Sequence, residues 1–236
     1  MNADLTVALT FLSCLALSYL VGSIPWAYAI VRLTTSEDIT MHGTGNVGAM
    51  NVRRTTGSWF WFTVAMVADA LKGLLPVATA KWLALGTLLH PVGVAMQSGQ
   101  LDRPSTALIP MAAVAGAVLG HNYSLWMAVV LRRPFRRTGK GLATGAGSLL
   151  AYDWRYFAAV LVVGLLTIAI TRYMMAGQVA ASAALPASAL LLHSPDWPFA
   201  LAMGALVYTA HHKRFMGLLR GEEPKLYVHD RSGPRG

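Results

Sequence analysis

Two stretches of this chain combine glycine, neutral hydrogen-bonding side chains and cations at spacings suited to holding a phosphate. The first is His42-Gly43-Thr44-Gly45-Asn46-Val47-Gly48-Ala49-Met50-Asn51-Val52-Arg53-Arg54. Its three glycines allow a tight backbone course that turns N–H groups toward an anion. Thr44, Asn46 and Asn51 add neutral hydrogen-bonding groups, and the arginines add charge and planar donor forks. An ordinary Gly/Asn-rich turn is the plainer reading of the same residues. The second stretch is Thr138-Gly139-Lys140-Gly141, preceded by Arg132, Arg133, Arg136 and Arg137. It is similar to half of a phosphate-binding P-loop. It lacks the upstream glycine, and Leu142 stands where a Ser or Thr would bind magnesium, which argues against a nucleotide hydrolase. The arginine run, taken alone, reads as a contact for anionic lipid.

Other chemistries find little support. The seven histidines form no metal signature, and no HExxH or GxSxG is present. Neither a metal nor a cofactor is expected. Cys14 is the only cysteine, so no disulfide framework and no cysteine-based metal site can form within one chain. None of the histidines is followed by Asp in an HxxxxD pair. A site of glycines, Thr, Asn and Arg/Lys can still act by positioning phosphorylated groups and stabilising developing charge.

The elements that must position these residues are apolar. The chain has 236 residues, 55% hydrophobic and 12% charged, against roughly 25% charged in soluble domains. This places it in the membrane class as a single domain, residues 1–236. Residues 5–31 carry no Asp, Glu, Lys or Arg and can span about 30 Å of hydrocarbon. Gly22-Ser23-Ile24-Pro25 predicts a kink within that first helix. Residues 58–80 are apolar apart from Asp69 and Lys72, whose i, i+3 spacing allows a buried pair. A structural ion pair and a substrate-facing lysine are equally compatible with that spacing.

Residues 82–103 read as an interfacial or re-entrant insertion, because Pro91 and Gln97-Ser98-Gly99-Gln100 interrupt them. Apolar stretches follow at 104–131, 142–152, 156–171, 173–194 and 197–210, and residues 221–236 form a polar cytoplasmic tail. The predicted fold is an all-α membrane bundle of seven transmembrane helices, with the N-terminus outside and the C-terminus cytoplasmic. Orientation follows the distribution of Lys and Arg. Arg53, Arg54, Arg132, Arg133, Arg136, Arg137, Lys140, Arg172, Lys213, Arg214 and Arg220 fall on one side, against Lys81, Arg103 and Arg155 on the other. The net charge of +9 suits this topology and also suits anionic substrates and lipids.

Over most of its length the sequence resembles the membrane-embedded, acyl-phosphate-dependent glycerol-3-phosphate acyltransferases, the PlsY family. The resemblance rests on Gly22-Ser23-Ile24-Pro25, on the stretch from His42 to Arg54, and on Asp69-Ala70-Leu71-Lys72-Gly73. It continues in Gly120-His121, Gly139-Lys140-Gly141-Leu142-Ala143-Thr144, His212 and Leu218-Leu219-Arg220-Gly221-Glu222-Glu223. It implies acyl transfer from acyl-phosphate to the 1-hydroxyl of glycerol-3-phosphate, giving lysophosphatidic acid and phosphate for phospholipid synthesis. It assigns catalytic roles to Thr44, Arg54 and His212. Substrate binding falls to Gly43, Gly45, Asn46, Gly48, Asn51, Lys72, Gly139, Lys140 and Gly141, and structural roles fall to Asp69, His121 and Glu223.

The implied partners are acyl-phosphate, glycerol-3-phosphate and membrane lipids, with no nucleic acid. The implied setting is a monomer in a bacterial inner membrane with its site toward the cytoplasm. Departures from the family pattern are Thr44 for serine, Met50 for threonine, Thr138 for glycine and Phe215 for asparagine. About 20 extra residues also lie between Lys72 and Gly120. The departures leave two alternatives open: a relative that binds lipid or acyl-phosphate with another acceptor or little turnover, and a small transporter suggested by Asp69 and Lys72.

Overall fold

A computed structural model describes residues 3–99, 104–223 and 225. Among the described residues every regular element is a helix. The first apolar stretch forms α1 (Ala3–Gly22) and α2 (Trp26–Thr35), and the chain breaks between them at the predicted Gly22–Pro25 kink. After a 3-10 turn (Ile39–Met41) come α3 (Ala49–Thr56) and α4 (Trp59–Leu85). Next are α5 (Val92–Gln97), α6 (Pro104–Asn122), α7 (Leu125–Val129) and α8 (Leu142–Tyr152). The chain closes with α9 (Trp154–Thr171), α10 (Met174–Leu191) and α11 (Trp197–Leu219).

Five helical stretches are long and apolar enough to cross a membrane: Leu5–Thr35, Trp59–Leu85, Ala107–Val129, Trp154–Thr171 and Met174–Leu191. The other two expected crossings coincide with α8 and α11. With eleven residues, α8 is too short to span the hydrocarbon unaided, and α11 carries the polar run Thr209–Arg214 on its last turns. The insertion is smaller than expected at its start, because α4 runs on to Leu85 before α5 folds back. Residues 100–103, including Arg103, and most of the expected tail lie outside the described residues.

The sixth helix is the axis of the bundle. Of its most apolar window 72% is buried, against 11% for α9, whose Leu165 and Ile170 face outward. Small residues let α1 lie directly on α6, and a Cβ at Gly120 would stand 2.2 Å from the Tyr19 carbonyl oxygen. Without a hydrophobic drive between helices in lipid, such backbone contact is how membrane helices gain packing energy. The kink is tied into the same junction. The Leu125 amide donates to Ser23 Oγ at 2.7 Å and the Ser124 hydroxyl donates to the Ser23 carbonyl at 2.5 Å. One polar link thus satisfies both the broken first helix and the start of α7.

A candidate phosphate and acyl-chain site

The 43–48 loop is shaped by residues behind it. The buried Asn51 Nδ2 donates to the carbonyls of Ile39 and His42, each at 3.0 Å. Asp38 caps the 3-10 turn through the Thr40 amide and pairs with Arg133 across the site. Burial raises the Asp38 carboxyl, but bonds from Thr40 and the charges of Arg133 and Arg32 outweigh it and leave the group below its usual range. Gly43 has φ +54, and a Cβ there would lie 2.4 Å from Asn51 Oδ1 and 3.4 Å from Arg54 Cδ. Only glycine suits that backbone and lets the Arg54 side chain pass over the loop. The Thr44 and Asn46 amides make no hydrogen bond among the described residues, so the loop offers open donors.

The second polar stretch is fastened to the first through the backbone. The Val47 amide donates to the Thr138 carbonyl and the Thr138 amide donates to the Asn122 carbonyl, both at 2.7 Å. Gly139 packs against the His121 ring, where a Cβ would come within 2.2 Å of Nε2. Lys140 and Gly141 are thereby set at the start of α8, whose first amides have no partner within the helix.

Lys140 shares its surroundings with Arg54, Arg214 and Glu223. Burial lowers its pKa most, then Arg214 and Arg54 against the opposing Glu223, bringing it to about 8. Glu223 holds Arg214 in a two-pronged pair, with Arg214 Nε to Glu223 Oε1 at 2.8 Å. Arg137 lies over the Tyr123 ring at 5.5 Å and donates to the Thr209 carbonyl at 3.1 Å. Three arginines and a lysine share one carboxylate here, and that excess of positive charge favours a dianion.

The structure places several of the expected site residues away from the phosphate cluster. Neighbouring helical residues point about 100° apart, and α11 turns His211 inward and His212 outward. His211 is buried beside Lys140, Arg214 and Arg137, whereas His212 is exposed with its ring 6.0 Å from Tyr208. Geometry thus sets His211, rather than the expected His212, beside Lys140. His211 Nδ1 lies 2.8 Å from the Val207 carbonyl, which can only accept, so the neutral ring keeps Nε2 as an acceptor. That Nε2 is buried and has no hydrogen-bond partner among the described residues.

Lys72 is likewise not at the rim. Its ammonium is 2.9 Å from Asp69 and 2.8 Å from the Ile24 carbonyl, with His121 Nδ1 3.7 Å from the same carboxylate. The group is buried and joins α4, α6 and the kink, as a structural pair would. Asn51 sits behind the loop rather than on its open side. Thr44, Gly43 and Arg54 are exposed at the loop surface, Gly45, Asn46 and Gly48 are half-buried, and Gly141 is buried at the start of α8. Sequence reasoning singled out neither His211 nor Arg214 as a member of this cluster, and only their i, i+3 spacing on one helical face could have signalled them.

An apolar groove begins beside this cluster. Gly141 and Leu142 form its mouth, and Val118, Leu149, Leu185, Met203 and Val207 line its walls between α6, α8, α10 and α11. It continues into a second lobe between α8, α9 and α10. The lobes share Leu142, Ala146, Val160 and Ala181. A cationic, donor-rich head site opening onto a long apolar groove matches a ligand with a phosphate at one end and a hydrocarbon chain at the other.

Comparison with known proteins agrees with this architecture. The family model described as glycerol-3-phosphate acyltransferase matches residues 12–221. The glycerol-3-phosphate acyltransferase of Anaeromyxobacter sp. (strain Fw109-5) is 30% identical over 217 residues, covering 90% of this chain and 95% of its own. That of Synechococcus sp. (strain JA-3-3Ab) is 36% identical over 213 residues, covering 88% and 89%. The crystal structure of PlsY, an integral membrane glycerol 3-phosphate acyltransferase, in its glycerol 3-phosphate form aligns with a TM-score of 0.70 and 25% identity. The alignment covers 91% of this chain and 94% of that one. On these grounds the chain belongs to the glycerol-3-phosphate acyltransferase family.

Proposed function

We propose that this protein transfers an acyl chain from acyl-phosphate to the 1-hydroxyl of glycerol-3-phosphate, forming lysophosphatidic acid and inorganic phosphate for phospholipid synthesis. The observation that carries this reading is the junction at Gly141 and Leu142, where the Lys140–Arg54–Arg214 cluster meets the mouth of the apolar groove. The chain of acyl-phosphate lies in the groove and its phosphate rests on the amides of the 43–48 loop and of α8. Glycerol-3-phosphate brings a second phosphate to the same cations.

Each residue has a task in this scheme. Lys140, Arg54 and Arg214 neutralise the phosphates, and Thr44 contributes its hydroxyl at the exposed edge of the loop. His211 Nε2 accepts a hydrogen bond from the acceptor's 1-hydroxyl and aims its oxygen at the acyl carbonyl carbon. The new ester C–O bond forms, the carbon–oxygen bond to phosphate breaks, and the hydroxyl proton ends on the departing phosphate. Open loop amides stabilise the charge that builds on the carbonyl oxygen. Asp69, Lys72, His121 and Glu223 hold the frame.

The same reading fixes the setting. The cation-rich end faces the cytoplasm of a bacterial cell, α8 and α11 complete seven crossings in the inner membrane, and the N-terminus lies outside. By helix length alone, α8 starts about 10 Å short of a full-length neighbour such as α9, which recesses the phosphate site toward the chain groove. One copy holds every residue named, so a monomer suffices. The test is turnover by purified protein in lipid, with palmitoyl-phosphate, labelled glycerol-3-phosphate and no acyl-CoA. Equal yields of phosphate and lysophosphatidic acid are expected. Phosphate without lipid would replace the acceptor, and absence of both products would remove the assignment.

A further inference from the structure

The second lobe of the groove is apolar except at one position. Its walls are Leu142, Phe157, Leu161, Leu165 and Ile168 with smaller residues between them, and Gln178 from α10 stands among them. The Gln178 Oε1 atom is sealed from solvent and has no hydrogen-bond partner among the described residues. A buried amide oxygen left unmet is a standing cost, and nothing on α8, α9 or α10 meets it. Backbone strain does not explain it, because Gln178 lies within a regular helix.

The position of Gln178 indicates what would meet it. Gln178 lines this lobe together with Leu142, which follows Gly141 at the head site. A chain whose head is held at Lys140 and Gly141 and whose tail enters this lobe therefore meets Gln178 within its first few carbons. We propose that the second lobe receives an acyl chain bearing a hydroxyl near its carboxyl end, and that Gln178 is the residue that reads that hydroxyl. A hydroxyl both donates and accepts, so it can pair with the amide in either orientation. The preference is strong because a site built around such a bond disfavours the unsubstituted chain.

This inference rests on the acyl-chain reading above, and its test separates the two. Full-length wild type and Gln178→Leu are compared with palmitoyl-phosphate and 3-hydroxypalmitoyl-phosphate, with glycerol-3-phosphate as acceptor. Wild type is expected to favour the hydroxyacyl donor about 10-fold in kcat/KM, and Gln178→Leu to lose that preference while still using palmitoyl-phosphate. In parallel, palmitic and 3-hydroxypalmitic acids displace a bound fluorescent fatty acid from both proteins without any turnover. A hydroxyl-dependent displacement that Gln178→Leu abolishes supports the site even if no product forms, and only the catalytic assignment then falls. Equal handling of the two chains by wild type, or a preference that survives in Gln178→Leu, overturns the inference.

Discussion

Both ends of the bundle carry ionisable side chains, and the two ends treat them differently. At the end reached by the last turn of α4, Asp196 accepts hydrogen bonds from Tyr152, Tyr156 and Ser194 at 2.9, 2.6 and 2.5 Å. Asp153 is clasped by Arg155, and Lys81 donates to the Ala151 carbonyl at 2.7 Å. None of these side chains is left with a buried unmet atom. Near the other end, His211 Nε2, Arg137 Nε, Asn51 Oδ1 and both Asn122 amide atoms are buried and unmet. Cations there outnumber the acid that pairs with them.

Paired groups in a low-dielectric interior stabilise a fold, whereas unpaired ones are a standing cost unless a ligand completes them. The difference between the ends therefore distinguishes a structural network from a binding site. It also explains why the buried Asp69–Lys72 pair belongs with the first kind: its charges are answered from within the chain.

Substitutions at the two ends should give opposite signatures. The largest effect is expected for Lys140→Met, with kcat/KM for glycerol-3-phosphate falling on the order of 100-fold, about 3 kcal/mol, while the melting temperature holds. A smaller fall that leaves KM unchanged would remove Lys140 from phosphate binding. Next, His211→Ala should lose about 30-fold in kcat and His212→Ala less than about 3-fold. The reverse ranking would restore His212 to the site. Asp196→Asn should do the opposite of both, lowering stability by about 2 kcal/mol in thermal unfolding while kcat/KM stays near wild type. Loss of activity in folded Asp196→Asn protein would join the two ends functionally and break the contrast.

Two weaker effects sharpen the rim. Thr44→Ala should cost about 10-fold in kcat, and unchanged turnover would take its hydroxyl out of the mechanism. With a pKa of about 8, Lys140 loses its proton within an accessible range, so kcat/KM should decline as pH rises through 8. Lys140→Arg should move that limb to higher pH. The stability effect has the opposite direction. Above pH 8 the unfolded chain binds the extra proton, so this group's contribution to stability rises from pH 8 up to the ordinary lysine range. A flat activity profile would show that substrate binding does not draw on the Lys140 charge.

Much of the site was legible because its chemistry is local in the chain. Gly43, Gly45 and Gly48 announce a backbone that must turn within a few residues, and Lys140-Gly141 before an apolar run announces a helix start next to a cation. The break at Gly22–Pro25 could be read because a glycine followed three residues later by a proline weakens one short helical stretch from both sides. What the residues left open was directional. A helix points adjacent histidines in different directions, but only the rotation of α11 against Lys140 decides that His211 is the one facing inward. Lys72 could have faced a substrate or Asp69, and the choice depended on where α6 and the kink bring His121 and the Ile24 carbonyl.

The sequence by itself determined an all-helical membrane protein with two phosphate-suited stretches and a cation-rich side, because composition, glycine placement and charge bias act over a few residues each. The tertiary structure alone decided which polar groups are answered and which stay open. The bond between the Val47 amide and the Thr138 carbonyl, the burial of Lys72 and the unmet oxygen of Gln178 all depend on which segments come within hydrogen-bond reach. That reach is about 3 Å, and it is set by packing between residues far apart in the chain.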